Sequence, residues 1–327
     1  MFGALVRELL RKGRGDPPAP ESPVPYHDFG EMTREITQRA QTLSRGGYLD
    51  YPVFVHLETL ALCNAACNFC PYPTLERKGT KMPDALIEKV IDDLTDIPPH
   101  VAFQLAPYKL SEPFLEPRLF DIMELATSKL PNMSLSLISN GSPLVERQVE
   151  RLLRVPRLRY LHISLNYDNA EEYERVMNLP FDRTLARLDA LHKRKTSSGI
   201  PFPVHLTRVS SDKASDERFF RWAHARYPAF PVMILPRNDW IGEVVTEGAN
   251  AQVPDAPCHR WFDLSITATG VVAMCCMDGE AQYPKGDVNT QHALEIYNQP
   301  WLRELRQKLL SRRAAGSPCN RCTYLTS

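Results

Sequence analysis

The chain has 327 residues with 39 basic and 39 acidic side chains, so its formal net charge is zero. This balance gives no electrostatic footprint for nucleic acid or an anionic membrane, and no apolar run reaches the roughly 18 residues that a transmembrane helix needs. The opening residues lack the apolar core and cleavage site of a signal peptide. We therefore predict a cytoplasmic protein that binds neither nucleic acid nor membranes.

Strand-like and helical segments alternate through most of the chain. The Pro-rich residues 13–27 predict an extended linker, and a helical patch follows at residues 29–45. Short β-branched or apolar runs predict strands at residues 53–58, 101–106, 133–139, 159–165, 201–209 and 230–236. Helical stretches lie between them at residues 84–94, 117–129, 143–154, 171–194 and 214–226. Six strands alternating with helices indicate parallel βαβ units, in a doubly wound sheet or a partial barrel.

The placement of polar side chains favours the barrel. His56 and Glu58 share one face of the first predicted strand, and His162, Ser164 and Asn166 share one face of the fourth. A strand buried on both faces would not place such residues together unless they serve a site. Polar groups that are satisfied at strand ends are the alternative. We predict an α/β protein built on a partial (β/α)6 barrel with a polar interior.

The alternation ends after residue 240, and residues 258–327 carry five of the eight cysteines. The tetrapeptide at residues 267–270 predicts a hairpin turn, and residues 291–311 predict a helix. We divide the chain into an N-terminal segment of residues 1–50, a barrel of residues 51–245 and a small C-terminal module of residues 246–327.

Three cysteines follow the first predicted strand in one loop, as Cys63-x3-Cys67-x2-Cys70. Three thiolates at this spacing can hold three irons of a [4Fe–4S] cluster and leave the fourth iron without a protein ligand. A structural zinc site usually has four ligands, and no fourth one lies nearby in the sequence. The loop therefore indicates an iron–sulfur cluster with one open coordination site.

This CxxxCxxC loop resembles the signature of the radical S-adenosylmethionine (radical SAM) superfamily, and the resemblance covers most of residues 50–240. It implies that the open iron chelates S-adenosylmethionine (SAM). One-electron reduction of SAM then gives a 5′-deoxyadenosyl radical that abstracts hydrogen from a substrate. The resemblance also implies a flavodoxin- or ferredoxin-type reductant as partner.

Other positions match the motifs of this superfamily to different degrees. Leu110-Ser111-Glu112-Pro113 stands where the family has GGEP, so Glu112 would accept a hydrogen bond from the methionyl nitrogen although both glycines are replaced. Asn166 stands where the family more often has Asp. The resemblance implies these SAM contacts: Phe69, Tyr72, Glu112, Ser139, Asn140, Ser164, Asn166 and Arg208.

The second group of cysteines has the pattern Cys258-x11-Gly270-x4-Cys275, followed by Cys319-x2-Cys322. It resembles the auxiliary-cluster module that is called twitch in its short form and SPASM in its long form. The resemblance implies one auxiliary [4Fe–4S] cluster with Cys258, Cys275, Cys319 and Cys322 as ligands and Cys276 as a buried neighbour. Zinc is the alternative, because four cysteines closed by a terminal CxxC also suit that metal.

A cluster with four protein ligands has no open iron, so its natural role is electron transfer. Hydrogen abstraction followed by electron transfer would oxidise an alcohol to a ketone. The chain is similar in length and architecture to the twitch-bearing dehydrogenases of aminocyclitol and aminoglycoside biosynthesis. That resemblance implies a small-molecule substrate, a basic residue for its hydroxyl proton and further contacts around it. The candidate bases are Arg237 and Lys109, and the candidate substrate contacts are His56, Glu58, Asp239 and Trp240.

Other activities remain open. One is radical modification of a ribosomally made peptide, which the short segment before the barrel disfavours. Another is redox-neutral epimerisation or diol dehydration of a sugar. A nonenzymatic iron–sulfur carrier or zinc-binding module is a different class, and the occurrence of Glu112, Ser139 and Ser164 in barrel order argues against it.

Overall fold

The computed structural model describes residues 29–245 and 252–325, and the predicted linker at residues 13–27 lies outside them. Between residues 54 and 235 six strands alternate with helices, as the sequence pattern predicts. The strands are β1 Phe54–Leu57, β2 Phe103–Ala106, β3 Met133–Ser139, β4 Leu158–Ser164, β5 Val204–Val209 and β6 Val232–Leu235. The helices up to β6 are α1 Phe29–Ser44, α2 Asp84–Asp93, α3 Leu119–Lys129, α4 Glu146–Leu152, α5 Ala170–Met177, α6 Phe181–Ser198 and α7 Lys213–Arg226. Within the described ranges, no helix is long and apolar enough to cross a membrane.

The C-terminal module adds three strands and two helices. They are β7 Asp263–Ile266, β8 Val271–Ala273, β9 Gly286–Asp287, α8 Ala293–Tyr297 and α9 Pro300–Lys308. The predicted hairpin joins β7 to β8, and its Gly270 has φ +90°. A Cβ at Gly270 would displace the side-chain amide of Asn289, and the positive φ is the stronger reason for glycine there.

All nine strands form one sheet in the order β6-β5-β4-β3-β2-β1-β7-β8-β9. Strands β1 to β6 pair in parallel. Strand β7 pairs in parallel with the free edge of β1, and β8 and β9 follow antiparallel. Because β1 pairs with β7 and not with β6, the barrel is open. The C-terminal module continues its sheet.

Burial alternates along the barrel strands. Val55 and Leu57 are fully buried in the core that the strands share with the surrounding helices, whereas His56 between them is only partly buried. On β4, Ile163 is buried while His162 and its even-numbered neighbours keep some exposure. The period of two therefore separates an apolar outer face from a polar lumen, which confirms the predicted partial barrel.

Two predicted helices are each divided in the structure. The stretch 171–194 forms α5 and α6, because Asn178 closes α5 with φ 55° and Pro180 stands just before α6. The stretch 291–311 forms α8 and α9, and Pro300 is the first residue of α9. Proline lacks a backbone N–H and clashes with the preceding turn, so it starts a helix more readily than it continues one.

Helix α1 packs against the C-terminal module. Its Ala40 and Leu43 share one hydrophobic cluster with Trp261, and the same cluster includes Cys258 and Cys319. The N-terminal segment therefore covers one side of the second cysteine site.

Candidate active site

The first three cysteines lie in the loop between β1 and α2, at the carboxyl end of the barrel strands. The backbone N–H of Cys70 donates to the carbonyl of Cys67 at 3.2 Å, and the backbone N–H of Ala65 donates to Cys63 Sγ at 3.4 Å. Burial raises the pKa of Cys63 to about 12 and that of Cys70 to about 11. Burial also raises the pKa of Cys67, and the nearby Cys70 and Cys63 raise it further. The three thiols therefore converge, and a bound metal cluster would offset the cost of ionising them.

Glu112 lies next to this loop, at the centre of a hydrogen-bond network. Its carboxylate accepts from Ser139 Oγ at 2.8 Å, from the backbone N–H of Asn140 at 2.7 Å and from that of Phe114 at 3.2 Å. Burial raises the pKa of Glu112 to about 7 against these hydrogen bonds, and no cation contributes. A ligand with a positively polarised nitrogen fits this carboxylate.

The turn after β3 connects Glu112 to the cysteine loop. Asn140 Nδ2 donates to Asn64 Oδ1 at 2.8 Å and lies 3.9 Å from Cys63 Sγ. Gly141 follows with φ +78°, and a Cβ there would meet Ile163 at 3.1 Å. The Ser-Asn-Gly turn therefore has a backbone that favours glycine, and it holds Glu112 and Cys63 in one frame.

Trp240 lies between the two groups of cysteines. Its indole N–H donates to the carbonyl of Phe69 at 2.9 Å, and its ring packs against a cluster formed around Tyr72. Cys63 and Cys70 pack against that cluster too. The same indole also packs against a second cluster that contains Cys322. Trp240 and Ile241 have positive φ angles of 52° and 59°, and such strain in non-glycine residues is typical of functional segments.

Two expected SAM contacts, Arg208 on β5 and Asn166 just after β4, are fully engaged by the protein. Arg208 is 1% exposed and donates to Asp216 at 2.7 Å, to Ser211 Oγ at 2.6 Å and to the carbonyl of Asn166. The side chain of Asn166 accepts from the backbone of Val209 at 2.8 Å and donates to Ser164 Oγ at 3.0 Å. This geometry argues against Arg208 as the partner of a methionyl carboxylate. Ser164 keeps partial exposure to the lumen.

Two further sequence candidates connect the barrel to the C-terminal module. Glu58 is fully buried and pairs with Arg77 at 2.7 Å, and it also accepts from the backbones of Leu110 and Ala268. Lys109 donates to the carbonyls of residues 278 and 279 at 2.5 and 3.0 Å. Burial lowers the pKa of Lys109. These contacts argue against Glu58 as a substrate ligand and against Lys109 as a free base.

Two more sequence candidates lie after β6. Arg237 donates to Asn68 Oδ1 at 3.3 Å and faces the ring of Phe69 at 6.0 Å. Asp239 accepts from the backbone of Ile241 at 3.1 Å and from Thr323 Oγ1 at 3.2 Å. Both side chains therefore fix the segment that carries Trp240.

The second cysteine site is a cavity between short 3₁₀ turns and β8. The thiols of Cys258, Cys275, Cys319 and Cys322 line it together. The backbone N–H of Cys322 donates to the carbonyl of Cys319 at 3.2 Å, and the indole of Trp261 donates to Cys319 Sγ at 3.4 Å. Burial raises the pKa of Cys275 well above its usual range, and the other thiols raise it further. Four converging thiols fit a cluster with no open iron.

Buried cations surround this second site. Arg312 lines the cavity, and its Nε and Nη2 have no hydrogen-bond partner among the described residues. Burial raises the pKa of Cys322 to about 11 and that of Cys319 to about 12, and the charge of Arg312 opposes both shifts. Arg260 also lines the cavity. Burial lowers the pKa of Lys285 to about 8, and the nearby Cys275 opposes that shift. A four-thiolate cluster is anionic, so these cations complement it and favour an added electron.

His56 lies in the lumen beside Asp263, which the sequence did not single out, and Cys276, which it placed next to the auxiliary site. Its ring packs near Phe54 at 4.5 Å between centroids, and neither ring nitrogen has a hydrogen-bond partner among the described residues. Asp263 and Cys276 lie close to it. Sequence reasoning did not identify Asp263 and Arg312, because they are remote from His56 and from one another in the sequence. It also missed Arg260. That residue stands two positions after Cys258, and this proximity to a cysteine was the one signal available.

Two family models match the chain. Residues 57–207 match the Radical SAM superfamily, and residues 258–323 match SPASM, an iron–sulfur cluster-binding domain. Together they cover about two thirds of the chain. No curated protein sequence matches the chain significantly.

Solved structures share the fold at low sequence identity. BtrN in complex with AdoMet and 2-DOIA is 15% identical with a TM-score of 0.57, over 84% of this chain and 93% of BtrN. SuiB of Streptococcus suis bound to precursor peptide SuiA is 12% identical with a TM-score of 0.63, over 98% of this chain and 80% of SuiB. Native anSMEcpe with bound AdoMet and Cp18Cys peptide is 13% identical with a TM-score of 0.58, over 83% of this chain and 87% of anSMEcpe.

The radical SAM domain binds a [4Fe–4S] cluster and SAM, and the SPASM domain binds iron–sulfur rather than zinc. Both domains coincide with the two cysteine sites described above. The chain therefore contains a radical SAM domain, built as a partial barrel, followed by a SPASM domain.

Proposed function

We propose that this enzyme oxidises a small polar alcohol, such as a sugar or an aminocyclitol, to a ketone in natural-product biosynthesis. The observation that carries the proposal is the second cysteine site, where four thiols and the buried cations of Arg260, Arg312 and Lys285 meet. A cluster held there has no open iron for a substrate and is favoured in its reduced form. Such an electron acceptor is what alcohol oxidation requires after hydrogen abstraction.

We assign the ligands by site. Cys63, Cys67 and Cys70 hold the cluster that binds SAM, and Cys258, Cys275, Cys319 and Cys322 hold the auxiliary cluster. When bound, SAM supplies the radical that abstracts hydrogen from the substrate.

The chain's own groups orient SAM and exclude water from it. Glu112 accepts from the methionyl nitrogen, and Ser139 and Asn140 hold the Glu112 carboxylate in place. Phe69 and Tyr72 would hold the adenine, and Ser164, which is partly exposed to the lumen, would contact the ribose.

The lumen is suited to a hydroxylated substrate. Ser136 Oγ donates to Gln104 Oε1 at 2.8 Å, and the rings of Tyr160 and His162 stack with centroids 4.1 Å apart. Burial lowers the pKa of His162 to about 4, so this imidazole is neutral at physiological pH. These neutral polar groups can donate hydrogen bonds to the hydroxyl groups of a substrate and accept hydrogen bonds from them. The BtrN complex, which holds 2-DOIA, has the same fold.

Turnover of deuterated substrates tests the proposal. The reconstituted enzyme is incubated anaerobically with SAM, dithionite and each member of a panel of aminocyclitols deuterated at their carbinol carbons, with 2-DOIA included. We expect deuterium in 5′-deoxyadenosine and one ketone per deuterated 5′-deoxyadenosine. Epimerised or dehydrated products would contradict the oxidation, and so would 5′-deoxyadenosine formed with peptides but with no panel member.

Two further assignments accompany this function. A flavodoxin- or ferredoxin-type protein would supply the electron that SAM cleavage requires. A cytoplasmic location suits an enzyme whose eight cysteines are all free thiols in the described ranges.

A further inference from the structure

Three groups from different elements converge in the lumen outside both cysteine sites. They are His56 on β1, Asp263 on β7 and Cys276 in the loop after β8. A ring nitrogen of His56, a carboxylate oxygen of Asp263 and the sulfur of Cys276 all lie within 4.8 Å of one another. The ligand assignments above use none of the three groups.

The pairing of β1 with β7 creates this arrangement. Phe54 lies opposite Asp263, and His56 lies opposite Ser265. Side chains two residues apart on a strand share a face, so His56 and Asp263 are diagonal neighbours on one face of the sheet. That face is continuous with the lumen, where His56 keeps partial exposure.

The imidazole of His56 is weakly satisfied within the protein. Both ring nitrogens are shielded from water and make no hydrogen bond of good geometry within the described ranges, and the backbone of Tyr108 is the one polar group that favours a proton on the ring. Native structures leave few buried polar groups poorly paired, because the lost hydrogen bonds with water are costly. A ligand hydroxyl in the lumen would supply the partner that the other ring nitrogen lacks.

The surroundings of His56 hold its imidazole neutral before the reaction. Burial lowers the pKa of His56 well below its usual range, the charges of Arg260 and Lys109 lower it further, and the backbone of Tyr108 opposes that shift. Asp263 is fixed on one side by Arg260 at 3.0 Å. A carboxylate beside an imidazole stabilises the imidazolium that forms during proton transfer.

We propose that His56 accepts the hydroxyl proton of the substrate, with Asp263 as the positioning residue whose nearby carboxylate stabilises the imidazolium that forms. This inference rests on the proposed alcohol oxidation. As the carbinol C–H bond breaks, its hydrogen atom goes to the 5′-deoxyadenosyl radical. The O–H bond then breaks with its proton going to His56, and the remaining electron goes to the auxiliary [4Fe–4S] cluster as the C=O bond forms. His56 therefore replaces Lys109 and Arg237 as the base.

The test compares His56→Gln with the wild-type enzyme and with His205→Gln. His205 lies on β5, which three intervening strands separate from β1, and burial alone lowers its pKa. Each protein is assayed with SAM, dithionite and the deuterated aminocyclitol panel that includes 2-DOIA. The readouts are ketone formed, deuterium in 5′-deoxyadenosine, total iron and other metals.

We expect His56→Gln to keep its iron content and its deuterium transfer while the ratio of ketone to 5′-deoxyadenosine falls about 100-fold or more. His205→Gln should keep the wild-type ratio. Asp263→Asn should lower the ratio less than His56→Gln does, with SAM cleavage retained, because a purely structural defect would lower both products together.

Three outcomes would overturn the inference. Equal ratios in His56→Gln and wild type would remove the proton-acceptor role but leave the oxidation standing. A metal ion other than iron, bound by wild type and lost in His56→Gln, would make the three groups a metal site instead. If wild type oxidises no panel member, the proposed function fails first, and the role of His56 fails with it.

Discussion

Glu112 is a carboxylate that the fold buries without a cation. Three hydrogen bonds hold it between the loops after β2 and β3. The net effect of its surroundings is to raise its pKa to about 7. Above that pH the carboxylate is ionised and accepts strongly from a polarised nitrogen, and below it the acceptor is weakened by protonation.

SAM binding should therefore weaken as the pH falls through about 7. We expect Glu112→Gln to bind SAM at least about tenfold more weakly at pH 8, because hydrogen bonds to a charged group contribute about 1.5–3 kcal/mol. The variant should also lose most of this pH dependence. Equilibrium binding of SAM to the reconstituted protein between pH 6 and 8.5 measures both effects. A variant with wild-type affinity at every pH would remove Glu112 from the SAM site.

Glu58 stabilises the connection between the barrel and the C-terminal module through its buried pair with Arg77. Arg77 also donates to the carbonyl of Gly279 at 2.7 Å. Although burial opposes ionisation, Arg77 lowers the net pKa of Glu58. A lowered carboxyl pKa stabilises the folded state above the usual pKa, and this contribution is lost as the pH falls.

Removing one partner of such a pair leaves a buried charge uncompensated. We expect Glu58→Gln to lower the free energy of unfolding at pH 7 by about 3–5 kcal/mol. The loss should shrink toward acid pH. Glu304→Gln, which breaks an exposed pair with Lys308, should cost less than about 1 kcal/mol. Urea denaturation of the reconstituted proteins measures both, and similar losses in the two variants would contradict the anchoring role of Glu58.

At the scale of elements, the segment after β6 ties the two cluster sites together. Trp240 packs on the hydrophobic clusters next to both groups of cysteines and donates to Phe69 in the first loop. Asp239 accepts from Thr323, the residue after Cys322. The two sites are therefore held in a fixed relation by one short segment, which suits electron transfer between a substrate and the auxiliary cluster.

The buried cations around the auxiliary site should set its reduction potential. We expect Arg312→Met to lower the potential of the auxiliary cluster by about 60 mV, which is a tenfold change for a one-electron couple, because a buried positive charge is removed beside the thiolates. Arg313→Met changes the neighbouring arginine, which is exposed and pairs with Asp255 at the surface. The potential of the auxiliary cluster in Arg313→Met should stay at the wild-type value. Redox titration followed by electron paramagnetic resonance measures both, and an unchanged potential in Arg312→Met would contradict the role of the cations.

At the scale of the whole molecule, local sequence patterns predicted the strands and the cysteine sites. They did not predict which residues far apart in the sequence contact one another. The six barrel strands and the hairpin at Gly270 follow from hydrophobic runs and turn chemistry, and the cysteine spacings led to both cluster sites. Helix breaks at Pro180 and Pro300 were missed because the apolar pattern continues across them. Glu58 and Arg208 were expected to face ligands.

The structure gives Glu58 and Arg208 internal partners instead, in Arg77 and Asp216. Polar residues on a strand look alike in sequence whether they meet a ligand or a buried counter-charge. The proximity of His56 to Asp263 was also beyond the sequence, because it depends on the pairing of β1 with β7 across some two hundred residues of chain.

The division of labour between the two clusters is the central claim, and product analysis of two cysteine variants tests it most directly. Wild type should contain about eight irons per chain and form 5′-deoxyadenosine and ketone together. We expect Cys67→Ala to lose both products, because the site that binds SAM is broken. Cys319→Ala, with about four irons, should keep some 5′-deoxyadenosine formation and lose the ketone. Equal loss of both products in the two variants, or ketone formed by Cys319→Ala at the wild-type yield, would contradict the account.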